Sequence, residues 1–80
     1  MELYRVRLKN DRFFGVGVDV INGFVIAAIS APAARRLAAE NAANEGRQTW
    51  FMPKESSCEL IGKAKPGQKI GIILFSHNAR

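Results

Sequence analysis

The stretch "VDVINGFVIAAISAPAARRLAAE", residues 18–40, predicts how the chain folds. Two apolar runs flank Asn22-Gly23, and an alanine- and arginine-rich segment begins at Ser30. Asn-Gly best tolerates the two positive φ angles of a type I′ turn, so we expect a hairpin here with Gly23 at positive φ. Ser30 is a favourable N-cap, and Pro32 suits the first turn of a helix. The stretch therefore predicts a hairpin that leads directly into a helix.

The predicted helix has a narrow apolar face. It is expected to run to about Asn44, with Gly46 ending it in a left-handed conformation. Four apolar residues at helical spacing predict the face that packs on a sheet, and they are Ala34, Leu37, Ala38 and Ala42. Because most of them are alanines, the helix axis can lie close to that sheet.

Period-two alternation of apolar residues predicts strands at residues 2–9 and 13–21. Shorter apolar runs predict four more strands, at 24–29, 47–52, 58–62 and 70–76, the last of them central because it is the most apolar. Pro66-Gly67 predicts a type II turn in a hairpin between the last two strands. The predicted fold class is α+β. One antiparallel sheet of about five to six strands carries one helix on one face, in the order β-β-β-α-β-β-β, as a single domain over residues 1–80.

The cysteine and histidine content argues against catalysis and metal binding. Cys58 and His77 are the only residues of their types, so no internal disulfide can form and no set of three or four zinc ligands exists. A Cys–His nucleophile would need these two residues to meet, and no supporting carboxylate can be named for them. We expect no enzyme activity, no cofactor and no metal.

The N-terminal sequence does not resemble a targeting signal. "MELYRVRLKN", residues 1–10, alternates charged and apolar residues, which is not typical of a signal or transit peptide. No apolar run approaches the roughly 18 residues that a membrane-spanning helix needs. We expect a cytoplasmic protein that does not contact a membrane.

The charge balance is the strongest functional signal in the sequence. Twelve Lys and Arg residues against seven Asp and Glu give a net charge of +5, which indicates an acidic partner such as nucleic acid or an acidic protein face. Solubility alone is the other interpretation of such a charge on a small domain.

Seven basic residues, in three groups, are the candidate contacts. The first group projects from one strand at a spacing of about 6.6–6.8 Å, close to that of successive phosphates, the second opposes the dipole at the helix N-terminus, and the third surrounds the tip of the predicted hairpin. The groups are Arg5, Arg7 and Lys9, then Arg35 and Arg36, then Lys63 and Lys65. Each group can equally be a solvated face.

Aromatic residues that could stack on bases are few. Phe13 and Trp50 are the two candidates, and a core position is the alternative for each. This scarcity weakens the case for single-stranded nucleic acid as the partner.

The order of motifs along the chain resembles a group of short proteins encoded by phages and prophages. These motifs are "YRVRL", the Asn-Gly hairpin, "VIAAISAPAARRLAAE", a tryptophan strand and "PGQKIGIILFSHNA". Within that group, the size and single domain look like an anti-CRISPR protein, with a type I-C system as the suggested target. Anti-CRISPR proteins share no sequence signature, so no functional residue is carried over.

The resemblance implies a non-enzymatic inhibitor in the host-cell cytosol. It would bind a protein subunit of a bacterial CRISPR effector, the Cascade complex, and block target-DNA engagement sterically. Many anti-CRISPR proteins are acidic and imitate DNA, whereas this chain is basic, so an acidic or mixed protein face is the expected target. A small basic nucleic-acid-binding phage protein is the alternative, followed by a host-factor adaptor, and a monomer or small homo-oligomer is expected in each case.

Overall fold

The computed structural model describes residues 1–9, 20–43 and 46–78. Within them the elements follow in the order β1 Glu2–Leu8, β2 Val20–Ala28, α1 Ala31–Glu40, a 3₁₀-helix Arg47–Phe51, β3 Ser56–Lys63 and β4 Gly71–Asn78. The strands form one antiparallel sheet in the order β3-β1-β2-β4. The predicted α+β class, with one antiparallel sheet and one α-helix, is confirmed.

The predicted strand count and order differ from what the described residues form. They contain four strands rather than five to six, with two before the helix and two after it. Most of the predicted strand at 13–21 lies outside the described residues, so that prediction is settled only for its last two positions, which belong to β2.

The predicted Asn-Gly hairpin is wrong. Strand β2 runs without interruption through Asn22 and Gly23, and Gly23 does not have a positive φ angle. The register between β2 and β4 shifts between Ile21 and Gly23, so the Asn-Gly pair marks a bulge inside a strand. The same two residues that tolerate a turn also tolerate this local irregularity.

Gly23 is small because β1 and β2 approach closely beside it. It pairs with Arg7 of β1, and a Cβ atom at this position would lie 3.0 Å from the carbonyl oxygen of Val6 and 3.1 Å from Cγ of Arg7. The missing side chain therefore leaves room both for the backbone of β1 and for the Arg7 side chain.

Helix α1 begins where the sequence predicts and ends earlier. The Ser30 side chain accepts a hydrogen bond of 3.3 Å from the Ala33 N–H, as expected of an N-cap. The helix ends at Glu40, and the amide of Asn41 donates to the Leu37 carbonyl at 2.8 Å. The hydrogen bond of Asn41 to the preceding turn ends the helix at Glu40, before the predicted end near Asn44.

Gly46 has the predicted positive φ angle but a different place in the fold. Its φ of 88° and ψ of 152° lie outside the left-handed helical region, and it precedes the 3₁₀-helix instead of ending α1. The expected left-handed cap at Gly46 is therefore wrong.

Residues 47–51 form a 3₁₀-helix, where we predicted a strand over 47–52. Thr49 and Trp50 are both buried although they are adjacent in sequence. Successive side chains of a strand point to opposite faces, so a helical turn is what allows both to face inward. The fully buried Trp50 ring meets Phe24 edge to face, with ring centroids 5.1 Å apart, so Trp50 is a core residue and does not stack on bases.

The core lies between α1, the 3₁₀-helix and one face of the sheet. Its residues are Tyr4, Val6, Phe24, Ile26, Ala28, Ala34, Ala38, Ala39 and Trp50. The helix contributes only alanines to this set, which confirms its close approach to the sheet. Leu37 is only partly buried at the margin, and Ala39 occupies the buried position instead.

The Pro66-Gly67 turn is confirmed, although it is not in a hairpin. Gly67 has φ 88°, and the Gln68 N–H donates to the Lys65 carbonyl at 3.0 Å, as a type II turn requires. Because β3 and β4 lie at opposite edges of the sheet, the segment 64–70 crosses one end of the sheet. The predicted hairpin, and the central position predicted for the last strand, are both wrong.

Gly23→Ala tests the close approach of β1 to β2. The added methyl would lie 3.0 Å from the Val6 carbonyl oxygen, so backbone atoms of β1 must shift by a few tenths of an ångström. We therefore expect the free energy of unfolding to fall by roughly 1–3 kcal/mol, as for overpacking. Gly62→Ala is the matched control, since no atom lies within 4 Å of its would-be Cβ. Urea denaturation of both variants measures the difference, and equal stabilities would contradict the role assigned to Gly23.

Candidate binding surface

One face of the sheet is covered by the two helices, and on the other no described element packs. Alternation along β1 buries Tyr4 and Val6 under α1 and leaves Arg5 and Arg7 exposed on the opposite side. We call this second side the open face. Its larger side chains are Leu3, Arg5, Arg7, Val25, Glu59 and Leu74.

Cross-strand pairing arranges the open face in rows. Glu59, Arg5, Val25 and Leu74 lie side by side on β3, β1, β2 and β4, so the row changes from charged to apolar across the sheet. Arg7 lies in the next row between Ser57 and Gly23. The face thus carries two arginines on β1 and, two strands away, an exposed leucine on β4.

The two arginines of the open face differ in how their charge is compensated. Arg5 donates from Nε to Oε1 of Glu59 at 3.0 Å, and a second guanidinium nitrogen contacts the same oxygen. Both side chains are about half exposed, so the pair contributes only about 0.2–1 kcal/mol. Arg7 has no ion-pair partner within the described part of the chain, so it carries the uncompensated charge of this face.

Besides Arg5, two more of the seven predicted contact residues form hydrogen bonds inside the protein. The Lys9 ammonium donates to the Pro53 carbonyl at 2.8 Å and fastens the end of β1 to the loop after the 3₁₀-helix. The Arg35 guanidinium donates to the carbonyl of Trp50 at 3.0 Å, and to the hydroxyl and carbonyl of Ser56 at 2.9 and 3.2 Å. Arg35 is partly buried and connects α1 to the 3₁₀-helix and to β3, which explains its presence near the helix N-terminus.

The remaining predicted contacts lie in two further places. Arg36 is exposed on α1, on the side of the sheet opposite Arg7. Lys63 ends β3 and Lys65 lies in the crossing segment, both exposed at one end of the sheet. The structure therefore brings Arg5 and Arg7 together and does not gather the seven residues on one surface.

Sequence reasoning missed the exposed apolar surface of β4. Its side chains at Ile73, Leu74 and Phe75 are 45–56% exposed, and Ile70 just before it is 57% exposed. A run without alternation suggested a doubly buried strand, and only the order of the four described strands reveals that β4 lies at an edge of the sheet that they form.

An open apolar groove of about 550 Å³ lies between the end of α1 and β4. Its lining residues are Phe24, Asn41, Ile72, Ile73, Leu74 and Phe75. None of these side chains is an acid, a base or a nucleophile, so the groove can bind apolar groups but supplies no general acid–base catalysis.

The candidate Cys–His pair is not assembled. Cys58 is on β3 and His77 on β4, the two opposite edges of the sheet, so at least two strands separate their backbones. The described residues contain no group of three or more His, Cys, Asp and Glu side chains that could hold a metal ion.

Cys58 is a structural thiol on the helix-bearing face. Its Sγ lies 3.8 Å from the Ala31 carbonyl. Burial raises the pKa of Cys58, and the positive charge of Arg35 opposes that shift without cancelling it. The thiolate, the nucleophilic form, is thus disfavoured.

No protein-family model, curated protein or solved structure matches this chain. Within the described residues, no helix is long and apolar enough to cross a membrane.

Arg35→Met should destabilise the protein without touching the open face. It removes charge-assisted hydrogen bonds to Trp50 and Ser56, so we expect unfolding free energy to fall by about 1.5–3 kcal/mol. Arg36→Met removes the same charge from an exposed position and should change stability by no more than about 0.5 kcal/mol. Thermal and urea denaturation measure both variants, and equal losses of stability would contradict the structural role assigned to Arg35.

Cys58 should react slowly with iodoacetamide in the folded protein. Its raised pKa and partial burial both lower the amount of accessible thiolate, so alkylation near pH 8 should be slower than for the urea-unfolded chain. The folded state favours the protonated thiol of Cys58. The contribution of this thiol to the free energy of unfolding is therefore present below its pKa in the unfolded chain, and it is lost as the pH rises through its raised pKa in the folded protein. Mass spectrometry measures the rate, and equal rates in both states would contradict this.

Proposed function

We propose that this is a non-enzymatic binding protein whose open face docks on an acidic patch of another protein. The observation that carries the proposal is the uncompensated Arg7 beside Arg5, whose own row across the sheet ends at the exposed Leu74. Arginine is enriched in protein interfaces, because its planar guanidinium forms several directed hydrogen bonds and packs on apolar groups. Both arginines stand on a strand of the sheet, which holds them in fixed relative positions.

A protein partner is favoured over nucleic acid by the composition of this face. Glu59 lies within it and would repel a phosphate backbone beside Arg5. Among its described residues there is no aromatic side chain on which a base could stack. The exposed cations at Arg36 and Lys65 lie elsewhere and do not continue a single track.

The proposed partner is a protein subunit of a bacterial CRISPR effector, the Cascade complex of a type I-C system. This part of the proposal rests on the resemblance of the sequence to anti-CRISPR proteins. A protein of charge +5 is repelled by the basic channels that hold DNA, so it would dock on an acidic or mixed face next to such a channel. Its bulk would then block target DNA without imitating it.

The alternative function is that of a small basic nucleic-acid-binding phage protein. The net charge and the exposed cations Arg7, Lys63 and Lys65 favour it. Such a protein would release counterions on binding, and its affinity would fall with salt at a log–log slope of about −0.9 per neutralised phosphate on duplex DNA.

Arg7→Glu should weaken inhibition while leaving the fold intact. We expect at least about a tenfold rise in the protein concentration that blocks target-DNA binding by the purified effector, because reversing a charge at an interface penalises the complex. Arg36→Glu makes the same change on the opposite side and should inhibit like the wild type. Circular dichroism verifies folding, and an electrophoretic mobility assay measures DNA binding.

A second pair of variants separates charge from geometry. Arg5→Glu alone would face Glu59, whereas the double change Arg5→Glu with Glu59→Arg keeps the ion pair and reverses its direction. The double variant should be as stable as the wild type and inhibit less. Full inhibition by both folded open-face variants would overturn the proposed surface, and tight, steeply salt-dependent binding to random duplex DNA at physiological salt would favour the alternative.

A further inference from the structure

One end of the sheet carries a surface on which aliphatic and basic side chains lie together. The antiparallel ladders place the start of β1 beside the end of β2, and the start of β4 beside both. Strand β3 ends at the same place, and the segment 64–70 crosses from it to β4. We call this surface the lysine end, and it comprises Met1, Ile29 and residues 63–70.

Three large apolar side chains of the lysine end are exposed to solvent. Met1 precedes β1, Ile29 follows β2 and Ile70 precedes β4, so they lie just beyond the ends of three neighbouring strands. Their exposed fractions are 44%, 72% and 57%. The Ala64 N–H donates to the Met1 carbonyl at 3.0 Å, which holds the crossing segment against the start of β1. The fold thus gathers apolar residues that are far apart in sequence.

Three exposed lysines lie on either side of these apolar side chains. Lys63 ends β3, and Lys65 and Lys69 belong to the crossing segment. The sequence contains no Asp or Glu from residue 60 to residue 78, and the one acid among the described residues of this end is Glu2, opposite Lys63 in the ladder. Lys65 and Lys69 have no ion-pair partner within the described part of the chain. The lysine end is therefore cationic as well as apolar.

We propose that the lysine end binds the surface of a membrane that contains anionic phospholipids. The headgroup phosphates complement the charge of the lysines, and the acyl boundary just below them accepts aliphatic side chains. Lysine suits this boundary because its long stem lies along apolar groups while its ammonium reaches the headgroups. We expected no membrane contact because no apolar run is long enough to span a bilayer, but a contact at the surface needs no such run.

The composition of the lysine end favours a lipid surface over nucleic acid or protein. Single-stranded nucleic acid stacks its bases on aromatic rings, and the exposed apolar groups here are all aliphatic. Phosphate contacts to a duplex would leave Ile29 and Ile70 in water. Protein interfaces are enriched in arginine and aromatic residues and depleted of lysine. The surface also lies at the end of β1 away from Arg7, so this inference does not depend on the proposed function.

Flotation of the full chain with lipid vesicles tests the proposal. One set of vesicles contains phosphatidylcholine alone, and in the other about one lipid in three is phosphatidylglycerol. We expect the protein to float with the anionic vesicles and not with the neutral ones. The bound fraction should fall as the salt concentration rises, because salt screens the attraction between the lysines and the headgroups.

A matched pair of charge variants locates the contact. Lys65→Glu should weaken partitioning onto anionic vesicles at least about fivefold, because each basic residue near the surface contributes to the attraction. Lys54→Glu makes the same change in net charge at an exposed lysine after the 3₁₀-helix, at the opposite end of the sheet. It should weaken partitioning less than about twofold, since its charge lies more than a Debye length from the bound lipid.

A second pair of variants tests the apolar part of the contact without changing charge. Ile29→Gln and Ile70→Gln should each weaken partitioning at least about threefold, because each removes an aliphatic group from the acyl boundary. Met52→Gln is the control, since this side chain is 43% exposed near the opposite end of the sheet. It should bind like the wild type, and circular dichroism verifies the fold of each variant.

Three results would overturn the proposal. The first is a wild type that does not float with anionic vesicles even at low salt. The second is an equal loss of binding in Lys65→Glu and Lys54→Glu, which would show attraction by net charge alone. The third is binding that both isoleucine variants leave unchanged. If flotation fails and Lys65→Glu instead weakens binding to random duplex DNA, the lysine end belongs to a nucleic-acid interface.

Discussion

The hydrogen bonds of the Arg35 guanidinium connect the segments on which the rest of the structure depends. From α1 it reaches the Trp50 carbonyl in the 3₁₀-helix and both oxygens of Ser56 at the start of β3. The Ser56 hydroxyl in turn donates to the Thr49 carbonyl at 2.9 Å. With the 3₁₀-helix fixed in this way, Trp50 packs against Phe24 and fills the space that an alanine-rich helix leaves above the sheet. A charged residue thus supports the core of a chain too short to build a thick one.

The division of the sheet into two faces separates stability from recognition. The helix-bearing face contains the aromatic and aliphatic core, while the open face carries Arg5 and Arg7 on the same strand as the buried Val6. Because side chains alternate along β1, burial of Tyr4 and Val6 in the core also fixes where Arg5 and Arg7 lie on the open face. Gly23 contributes to both faces, because the absence of a side chain lets the backbone of β1 approach β2 and leaves space for the side chain of Arg7.

The candidate site was predictable only where local pattern sufficed. Alternation correctly placed Arg5 and Arg7 on a face away from the core, because side-chain direction in a strand follows from the period of two. It could not show that Glu59 compensates one of them, since that pair joins residues far apart in sequence. Arg35 looked like a surface cation opposed to its helix dipole. Its actual partners lie in the 3₁₀-helix and at the start of β3, which only the fold brings close to α1.

The sequence by itself determined the features that are decided within a few residues. These are the Ser30 cap, the alanine face of α1, the type II turn at Pro66-Gly67 and the absence of charge from the last strand. Tertiary structure decided that Asn22-Gly23 lies inside a strand, that residues 47–51 turn Trp50 into the core, and that β4 is an edge. The physical reason is that turn chemistry and apolar runs are compatible with more than one local conformation. Long-range strand pairing and burial select one of them, because they contribute more free energy than local propensity does.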